Sequence, residues 1–259
     1  MAIELRASSS FSYEQLAAVF TAGYVDYFLP FRIDAPALRA MNDAFDIDLD
    51  VSRVALRDGD PVGLANLGIR DAEAWVGGVG VVPDARRAGV AETMMEALHE
   101  QARARGVETV WLEVIEQNDA AFRLYDKLGY VVEREVEVWT LADDGAGGSA
   151  AEVDASEAHE LVRRVRTSRE PWQRADGTLA HFDDLRGLRG DGGAAVFRTA
   201  GVVQLFQIAG TELEELLRTL RAHGTVSALN VAVDDPAAAA LGSLGATVAV
   251  RQREMSLTL

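Results

Sequence analysis

The sequence contains no cysteine and only one lysine, Lys127, among its 259 residues. The absence of cysteine excludes disulfides, thiolate nucleophiles and zinc–thiolate sites. The four histidines, at positions 99, 159, 181 and 223, lack the spacing of a histidine metal site, so the sequence predicts no metal centre. No apolar run approaches the roughly 18 to 20 residues that cross a bilayer, and the start has no secretion-signal pattern. We therefore expect a cytoplasmic protein with no membrane partner.

Positive charge is scarce relative to negative charge, mostly in the first half of the chain. The formal net charge is −16, and residues 1–149 hold 26 acidic side chains against 13 basic ones. Nucleic-acid binding depends mainly on lysine and arginine, so this composition excludes a nucleic-acid partner. With 49% hydrophobic and 25% charged residues, the chain has the composition of a folded globular protein.

The length and one glycine-rich segment predict two domains. The chain exceeds a typical single domain of roughly 100 to 150 residues. The segment from Ala142 to Ser156 holds three glycines and shows no helix or strand periodicity, which predicts a linker. We therefore expect a first domain over residues 1–145 and a second over residues 150–259.

Within the first domain, apolar periodicity and turn residues predict alternating strands and helices, as in an α/β protein. The Asp58-Gly59-Asp60 turn predicts a hairpin. Helices are expected at about residues 13–25, 36–44, 91–104 and 120–128, and strands at about residues 51–57, 61–70, 74–82, 110–115 and 131–140.

The second half repeats the end of the first in weakened form. The stretch from Leu112 aligns with the stretch from Leu229 at a shift of 117 residues, with a one-residue slip near the end of the helix. The alignment predicts that the same kind of unit occurs twice. Chance similarity between two alanine-rich helices is the alternative explanation for part of it.

The stretch from Val79 contains a strand, a tight loop with two arginines and a glycine, and the start of a helix. A helix start presents unpaired N–H groups and a positive dipole end, and small residues let an anion approach the main chain. The loop therefore favours a diphosphate site, with an ordinary strand-to-helix connection as the alternative. The P-loop and dinucleotide-binding motifs are both absent.

The loop Arg86-Arg87-Ala88-Gly89-Val90-Ala91 is followed by a helix, the strand residues Leu112-Glu113-Val114, then Asn118, Tyr125 and Leu128-Gly129-Tyr130. This order resembles the GCN5-related N-acetyltransferase (GNAT) family, whose cofactor loop reads R/Q-x-x-G-x-G/A. The resemblance covers most of residues 1–141. It implies an α/β fold with a mixed central sheet flanked by helices, and a second, smaller, degenerate GNAT-like domain. It also implies an enzyme that transfers an acetyl group from acetyl-CoA, without a metal, to a primary amine of a small molecule or a peptide N-terminus by direct attack.

The resemblance also implies which residues bind acetyl-CoA. Val79, Gly80 and Val81 would lie along the pantetheine arm. Main-chain amides from Arg87 through Ala88, Gly89 and Val90 to Ala91 would hold the diphosphate, with Arg86 and Arg87 adding charge. Asn118 would hold amide groups of the cofactor or substrate, cap its helix, or do both.

Two side chains are candidates for the chemistry. An alkyl ammonium with a pKa near 10 is only about one part in a thousand neutral at pH 7, so the acceptor needs a base. Glu113 is the candidate, because the same arrangement in ribosomal-protein N-terminal acetyltransferases of the family supplies a carboxylate that works through water. Glu116 is a weaker substitute, and a surface glutamate paired with an arginine is the alternative.

Tyr125 follows Asn118 by two helical turns, so the two side chains face the same way if Asn118 opens the helix. The resemblance makes Tyr125 the general acid for the leaving thiolate, and a packing tyrosine is the alternative. No side chain stands out for the oxyanion, so we expect a backbone N–H near Val81 to stabilise it.

The acceptor is less well defined. The resemblance assigns its walls to regions that carry the aromatic residues Tyr24, Tyr27, Phe28 and Phe31 and the acidic residues Asp43, Asp46, Asp48 and Asp50. Carboxylates beside aromatic rings favour a cationic acceptor. A solvated acidic loop beside core aromatics accounts for the same residues.

In the second half, the strand that ends at Gly210 passes directly into a helix, and Gly242 aligns with Tyr125. We therefore expect this half to bind no CoA of its own. Two other functions remain open: a CoA-binding sensor without catalysis, and a scaffold protein. Monomer and homodimer also both remain open.

Overall fold

The computed structural model describes residues 3–28, 31–145 and 147–259, and the chain forms two compact units. The first unit is Met1–Glu133 with Glu254–Leu259, and the second is Arg134–Arg253. The last residues return to the first unit, where Met255 is buried in the core and the Leu259 N–H donates to the Glu108 carbonyl at 2.9 Å. The chain order alone does not reveal this return, and the predicted boundaries at 145 and 150 stay a prediction.

The first unit contains a sheet of mixed direction flanked by helices. Its elements are β1 (Ile3–Ala7), α1 (Tyr13–Gly23), α2 (Ala35–Ala44), β2 (Arg53–Arg57), β3 (Asp60–Arg70), β4 (Glu73–Val81), α3 (Val90–Ala104), β5 (Thr109–Ile115), α4 (Asp119–Lys127) and the start of β6 (Val131–Leu141). Strands β1 to β4 pair antiparallel in order, and β5 pairs with β4 in parallel. The helices and strands predicted for this half are confirmed to within about two residues, whereas β1 was not predicted.

Local sequence explains several element boundaries. Helix α1 begins with a capping box between Ser12 and Gln15, and α2 begins at Asp34, whose side chain accepts from the Ala37 N–H. The predicted hairpin turn has positive φ at both Asp58 and Gly59, as a tight turn between twisted strands requires. These signals are local, which is why the sequence alone could locate them.

Two packing contacts position the candidate site in the first unit. Helix α3 buries Met94, Met95 and Leu98 against the sheet, as its apolar spacing predicted. Helix α1 approaches β4 closely, since a Cβ added at Gly23 would lie 2.8 Å from the Cα of Gly80. The end of α1 therefore lies directly against the end of β4.

The second unit also has a mixed sheet with helices. Its elements are the rest of β6, then β7 (Ala151–Val153), α5 (Ala155–Val165), α6 (Asp176–Leu179), β8 (Arg186–Arg189), β9 (Gly193–Ala200), β10 (Val202–Gly210), α7 (Leu213–Arg221), β11 (Val226–Ala232), α8 (Pro236–Ser243) and β12 (Thr247–Thr258), whose end belongs to the first unit. The order β11, α8, β12 has the same spacing as β5, α4, β6, including the one-residue slip after the helix. The two aligned segments thus have the same local architecture.

The predicted linker is shorter than expected. Strand β7 and the start of α5 fall inside the segment Ala142–Ser156, because Ala151–Val153 pairs antiparallel with Gly187–Arg189. Ala146, in the same segment, lies outside the described residues. Among the residues that the structure describes, no helix has the length and apolar character of a membrane span.

Candidate active site

A cavity of about 540 Å³ opens at the carboxyl end of β4. The end of β4, the loop before α3, the first turn of α3, the end of α1 and the start of α4 form its walls. Eight of the ten residues predicted to bind the cofactor line it: Val79, Val81, Arg86, Arg87, Gly89, Val90, Ala91 and Asn118. Of the described residues, Gly80 and Ala88 are the two predicted ones that do not, although both lie between residues that do.

The loop before α3 is shaped to direct main-chain N–H groups toward one place. Arg87 and Gly89 have positive φ values of 63° and 78°. Gly89 is the N-cap of α3 and provides no side-chain hydrogen bond, so the first N–H groups of this 15-residue helix have no cap from that position. Successive N–H groups in such a loop form a concave anion site, reinforced by the helix dipole.

The two arginines of the loop have different surroundings. The Arg86 guanidinium donates to the carbonyl oxygens of Val81 at 3.0 Å, Gly23 at 3.2 Å and Val25 at 2.7 Å. It therefore fastens the end of α1 to the end of β4, a role that the sequence did not predict. Arg87 is exposed at the cavity and, within the described part of the chain, has no ion-pair partner.

Strands β4 and β5 pair over only three residues and then separate. The paired residues are Glu73–Trp75 and Thr109–Trp111. Beyond them, β4 carries an extra residue, Gly77, opposite β3. This bulge and the separation leave a gap between the two parallel strands at the level of the cavity.

Of three neighbouring tyrosines, Tyr27 lines the cavity, whereas Tyr24 and Tyr125 lie close to Tyr27 and do not line it. Tyr125 is buried, and burial raises its pKa above the ordinary value, with a further contribution from Tyr27. Burial also raises the pKa of Tyr27, while a hydrogen bond with the Asn118 side chain opposes that rise. Burial raises the pKa of Tyr24, whose hydroxyl contacts the main chain of Val79. All three phenols are therefore protonated at neutral pH. Tyr27 lies close to both Asn118 and Tyr125.

Asn118 caps helix α4, as one of its two predicted roles requires. Its Oδ1 accepts from the Ala121 N–H at 3.1 Å. Because Asn118 opens the helix, its side chain and that of Tyr125 lie on the same side, as the spacing predicted.

Glu113 lies on β5 just past the last paired residues. Leu112 and Val114 on either side are buried in the core, and Glu113 faces the other way and is half-buried. Its Oε2 accepts from the indole Nε1 of Trp75 at 2.8 Å. The structure thus gives Glu113 a hydrogen-bond partner on β4, a tryptophan that neither interpretation of the sequence predicted. Glu116 is exposed.

Two of the four carboxylates in the acidic run before β2 form ion pairs. Asp46 lies 2.6 Å from the Arg70 guanidinium, and Asp48 lies 3.1 Å from that of Arg105. Asp43 and Asp50 are exposed. These contacts favour a structural role for the two paired carboxylates over the predicted attraction of a cationic acceptor.

Sequence reasoning missed the site roles of Tyr27 and Trp75. Tyr27 was assigned only to the acceptor wall, yet it connects Asn118 with Tyr125. Trp75 carried no motif, and its contact with Glu113 depends on the pairing of β4 with β5.

Comparison with known proteins agrees with this geometry. Residues 19–130 match the family model described as acetyltransferase (GNAT) family. Over 58 residues, 22% of the chain, it is 41% identical to the ribosomal protein bS18-alanine N-acetyltransferase of Escherichia coli, of which it spans 39%.

Two solved structures resemble the whole chain in fold. A GCN5-related N-acetyltransferase from Sphaerobacter thermophilus has a TM-score of 0.73 at 16% identity, over 99% of this chain and 95% of that one. A tandem GNAT protein from the clavulanic acid biosynthesis pathway has a TM-score of 0.65 at 16% identity, over 99% of this chain and 98% of that one. The family match lies within the first unit, which contains the cavity, the loop and the buried tyrosine. Residues 19–130 are therefore similar to the GNAT acetyltransferase family, and the whole chain shares the fold of the two solved structures.

Proposed function

We propose that the protein transfers the acetyl group of acetyl-CoA to a primary amine of a small molecule or of a peptide N-terminus. The observation that carries this proposal is the cavity at the end of β4, which is lined by the loop before α3, the start of α4 and Tyr27. The match of residues 19–130 to an acetyltransferase family model supports the reaction type, and the local geometry supports a specific use of each residue.

The loop suits a diphosphate group. Main-chain N–H groups from Arg87 to Ala91 would hold it, and the exposed Arg87 would add a positive charge. Glu92 also lines the cavity, but the Lys127 ammonium lies 2.5 Å from its carboxylate and offsets that charge. Gly89 has no side chain and that of Ala91 is small, so there is room for the main chain to contact an anion. Val79 and Val81 would flank the pantetheine arm.

The chemistry requires a neutral amine and a place for the leaving thiolate's charge. Acetyl-CoA supplies a thioester whose carbonyl carbon accepts the amine. Glu113 takes the proton that the ammonium must lose, and the nitrogen lone pair then forms the new bond to the carbonyl carbon. As the carbon–sulfur bond breaks, the nitrogen gives its second proton to solvent and becomes the neutral amide. A backbone N–H near Val81 stabilises the oxyanion.

Tyr125 donates a hydrogen bond to the departing sulfur. Because burial raises its pKa, complete proton transfer from this phenol to a thiolate, whose thiol has a pKa of about 8.5, is uphill. Tyr125 therefore stabilises the thiolate mainly as a hydrogen-bond donor, and solvent delivers the proton as the product leaves. This refines the general-acid role expected from the sequence.

Tyr125→Phe tests this role. The change should lower kcat by about one to two orders of magnitude with little effect on the acetyl-CoA dissociation constant, since it removes one donor from the transition state. The readout is thiol release with a polyamine, an aminoglycoside and a peptide with an N-terminal alanine as acceptors. Tyr130→Phe is the control, because Tyr130 is a second buried tyrosine whose hydroxyl contacts His99 at 2.9 Å. Unchanged turnover in Tyr125→Phe would remove Tyr125 from the mechanism.

A CoA-binding sensor without catalysis is the competing function, since the same cavity would serve it. The sensor predicts stabilisation by acetyl-CoA without thiol release for any amine. At 100 times its dissociation constant, a ligand stabilises the folded protein by about 2.7 kcal/mol. Melting curves with and without acetyl-CoA, followed by the thiol assay, separate the enzyme, the sensor and a scaffold that binds no cofactor.

A further inference from the structure

Two tryptophans and two glutamates form crossed hydrogen bonds between β4 and β5. Trp75 and Trp111 are directly paired residues of the two parallel strands. The Trp75 indole N–H donates to Glu113 on β5 at 2.8 Å, and the Trp111 indole N–H donates to Glu73 on β4 at 2.9 Å. The two bonds have the same chemistry, but only the first reaches a residue at the gap where the strands separate.

The Trp75 ring is fixed by its surroundings. It is 6% exposed and packs edge-on against the Phe45 ring, with centroids 5.4 Å apart and planes at 73°. It also lies over the bulge residue Gly77, where an added Cβ would be 2.7 Å from the Trp75 ring and 2.8 Å from Ile47. A side chain at position 77 would displace the ring, so the bulge, the glycine and the indole orientation depend on one another.

An indole has one N–H donor and no acceptor, so a fixed ring gives its hydrogen bond one direction. That direction ends on Oε2 of Glu113 and restrains the orientation of the carboxylate, whose second oxygen, Oε1, is buried. A base must be held in the orientation that meets the proton, because small misplacements cost large factors in rate.

We propose that Trp75 is a positioning residue for Glu113, holding the carboxylate in the orientation in which it takes the proton from the acceptor amine. This inference rests on the proposed function, in which Glu113 is the base. Trp75 acts through Glu113 and need not touch acetyl-CoA or the acceptor.

The test compares Trp75→Phe with Trp111→Phe. Each change keeps an aromatic ring and removes one indole–carboxylate hydrogen bond between the same strands. Trp75→Phe should lower kcat about tenfold with the KM for acetyl-CoA unchanged, whereas Trp111→Phe should stay within about twofold of the parent. Thiol release with an N-terminal-alanine peptide and with a polyamine is the assay, and melting temperatures identify any variant that fails to fold.

The same comparison in a Glu113→Gln background separates positioning from a structural role. If Trp75 acts through Glu113, Trp75→Phe should have no further effect on kcat once Glu113 is replaced. An equal loss in both backgrounds, or equal losses in Trp75→Phe and Trp111→Phe, would overturn the inference. The indole N–H resonance of Trp75, assigned by its disappearance in Trp75→Phe, should also shift in Glu113→Gln, and an unmoved resonance would count against the hydrogen bond.

The outcomes distinguish this inference from the function on which it rests. A normal kcat in Glu113→Gln, or no thiol release with any amine, would refute the proposed base or the proposed enzyme and the inference with it. A low kcat in Glu113→Gln with a normal kcat in Trp75→Phe would refute the inference alone.

Discussion

The gap between β4 and β5 in the first unit has a counterpart between β10 and β11 in the second. In both units, two parallel strands pair over three residues and then separate: Glu73–Trp75 with Thr109–Trp111, and Val203–Leu205 with Val226–Ala228. In the first unit a cavity opens beside the gap. In the second unit, side chains from the segment before and within α6 occupy the corresponding place.

Arg174 is the main occupant in the second unit. It is 2% exposed, and its guanidinium donates to the carbonyl oxygen of Phe206 on β10 and to that of Leu229 on β11. Its charge is balanced by Glu170 at 3.2 Å. Buried Gln207 of β10 donates to the Arg174 carbonyl at 2.7 Å. The separation of two parallel strands is therefore not sufficient to create a binding site. Whether a site forms depends on which side chains fill the gap.

The starts of the helices that follow β4 and β10 also differ, and again only the first unit leaves room for a ligand. In the first unit, eight residues separate β4 from α3, and the cap is Gly89; in the second, only Thr211 and Glu212 separate β10 from α7. Glu212 accepts from the Asp191 N–H, and Glu214 and Glu215 lie in the first turn of α7. These carboxylates would repel an anion at the start of α7. We expect one acetyl-CoA per chain, bound by the first unit, and two equivalents in calorimetry would contradict this.

The largest effect is expected from breaking the buried pair that fills the second gap. Arg174→Met removes the cation that pairs with buried Glu170, a carboxylate on which Arg166 and Arg134 act more weakly, and should lower the free energy of unfolding by about 3 to 5 kcal/mol. The control is Arg164→Met, which removes an exposed pair with Glu160 and should cost less than about 1 kcal/mol. Urea denaturation followed by tryptophan fluorescence gives both values. Equal costs would mean that Arg174 does not hold this region together.

A double replacement sharpens that result. Arg174→Met combined with Glu170→Leu removes both charges, so it should recover part of the loss. If the double variant is as unstable as the single one, the hydrogen bonds of Arg174 to Phe206 and Leu229 matter more than its charge pairing.

The next largest effect is expected at the proposed anion site of the first unit. The experiment gives the start of α3 an acidic side chain, like those at the start of α7 in the second unit. Ala91→Glu adds a carboxylate to the first turn of α3, beside the proposed diphosphate position, and should weaken acetyl-CoA binding about a hundredfold by charge repulsion. Ala91→Gln has nearly the same size without the charge and is the matched control. Calorimetry measures both, and equal affinities of the two variants would exclude a diphosphate next to Ala91.

The sequence alone was sufficient to predict features that depend on a local signal. The loop with Gly89, the cap at Asn118 and the apolar face of α3 depend on neighbours within a few residues, and each lies where it was predicted. It was insufficient where partners are distant in the chain. The contact of Trp75 with Glu113, the role of Arg86 at the end of α1 and the return of the last residues to the first unit all depend on pairings that no local pattern encodes.

The smallest effect is the loss of stability at alkaline pH that tyrosine ionisation causes. It concerns the first unit alone, because all five tyrosines of the chain precede residue 131. Burial raises the pKa of Tyr24, Tyr125 and Tyr130, so the folded protein keeps protons that the unfolded chain releases near the ordinary value of 10.0. Their contribution to stability is therefore complete below pH 10 and is lost as the pH rises above it.

Each of these tyrosines should make the free energy of unfolding fall more steeply, by up to about 1.4 kcal/mol per pH unit above pH 10. With Lys127 as the only lysine, few other groups titrate in that range. Urea midpoints measured from pH 8 to about pH 11 should fall less steeply for Tyr125→Phe than for the parent, relative to each protein's own value at pH 8. Identical slopes would show that Tyr125 ionises equally readily in the folded and unfolded chains, and hence that its phenol is not enclosed in the way that its proposed role at the sulfur requires.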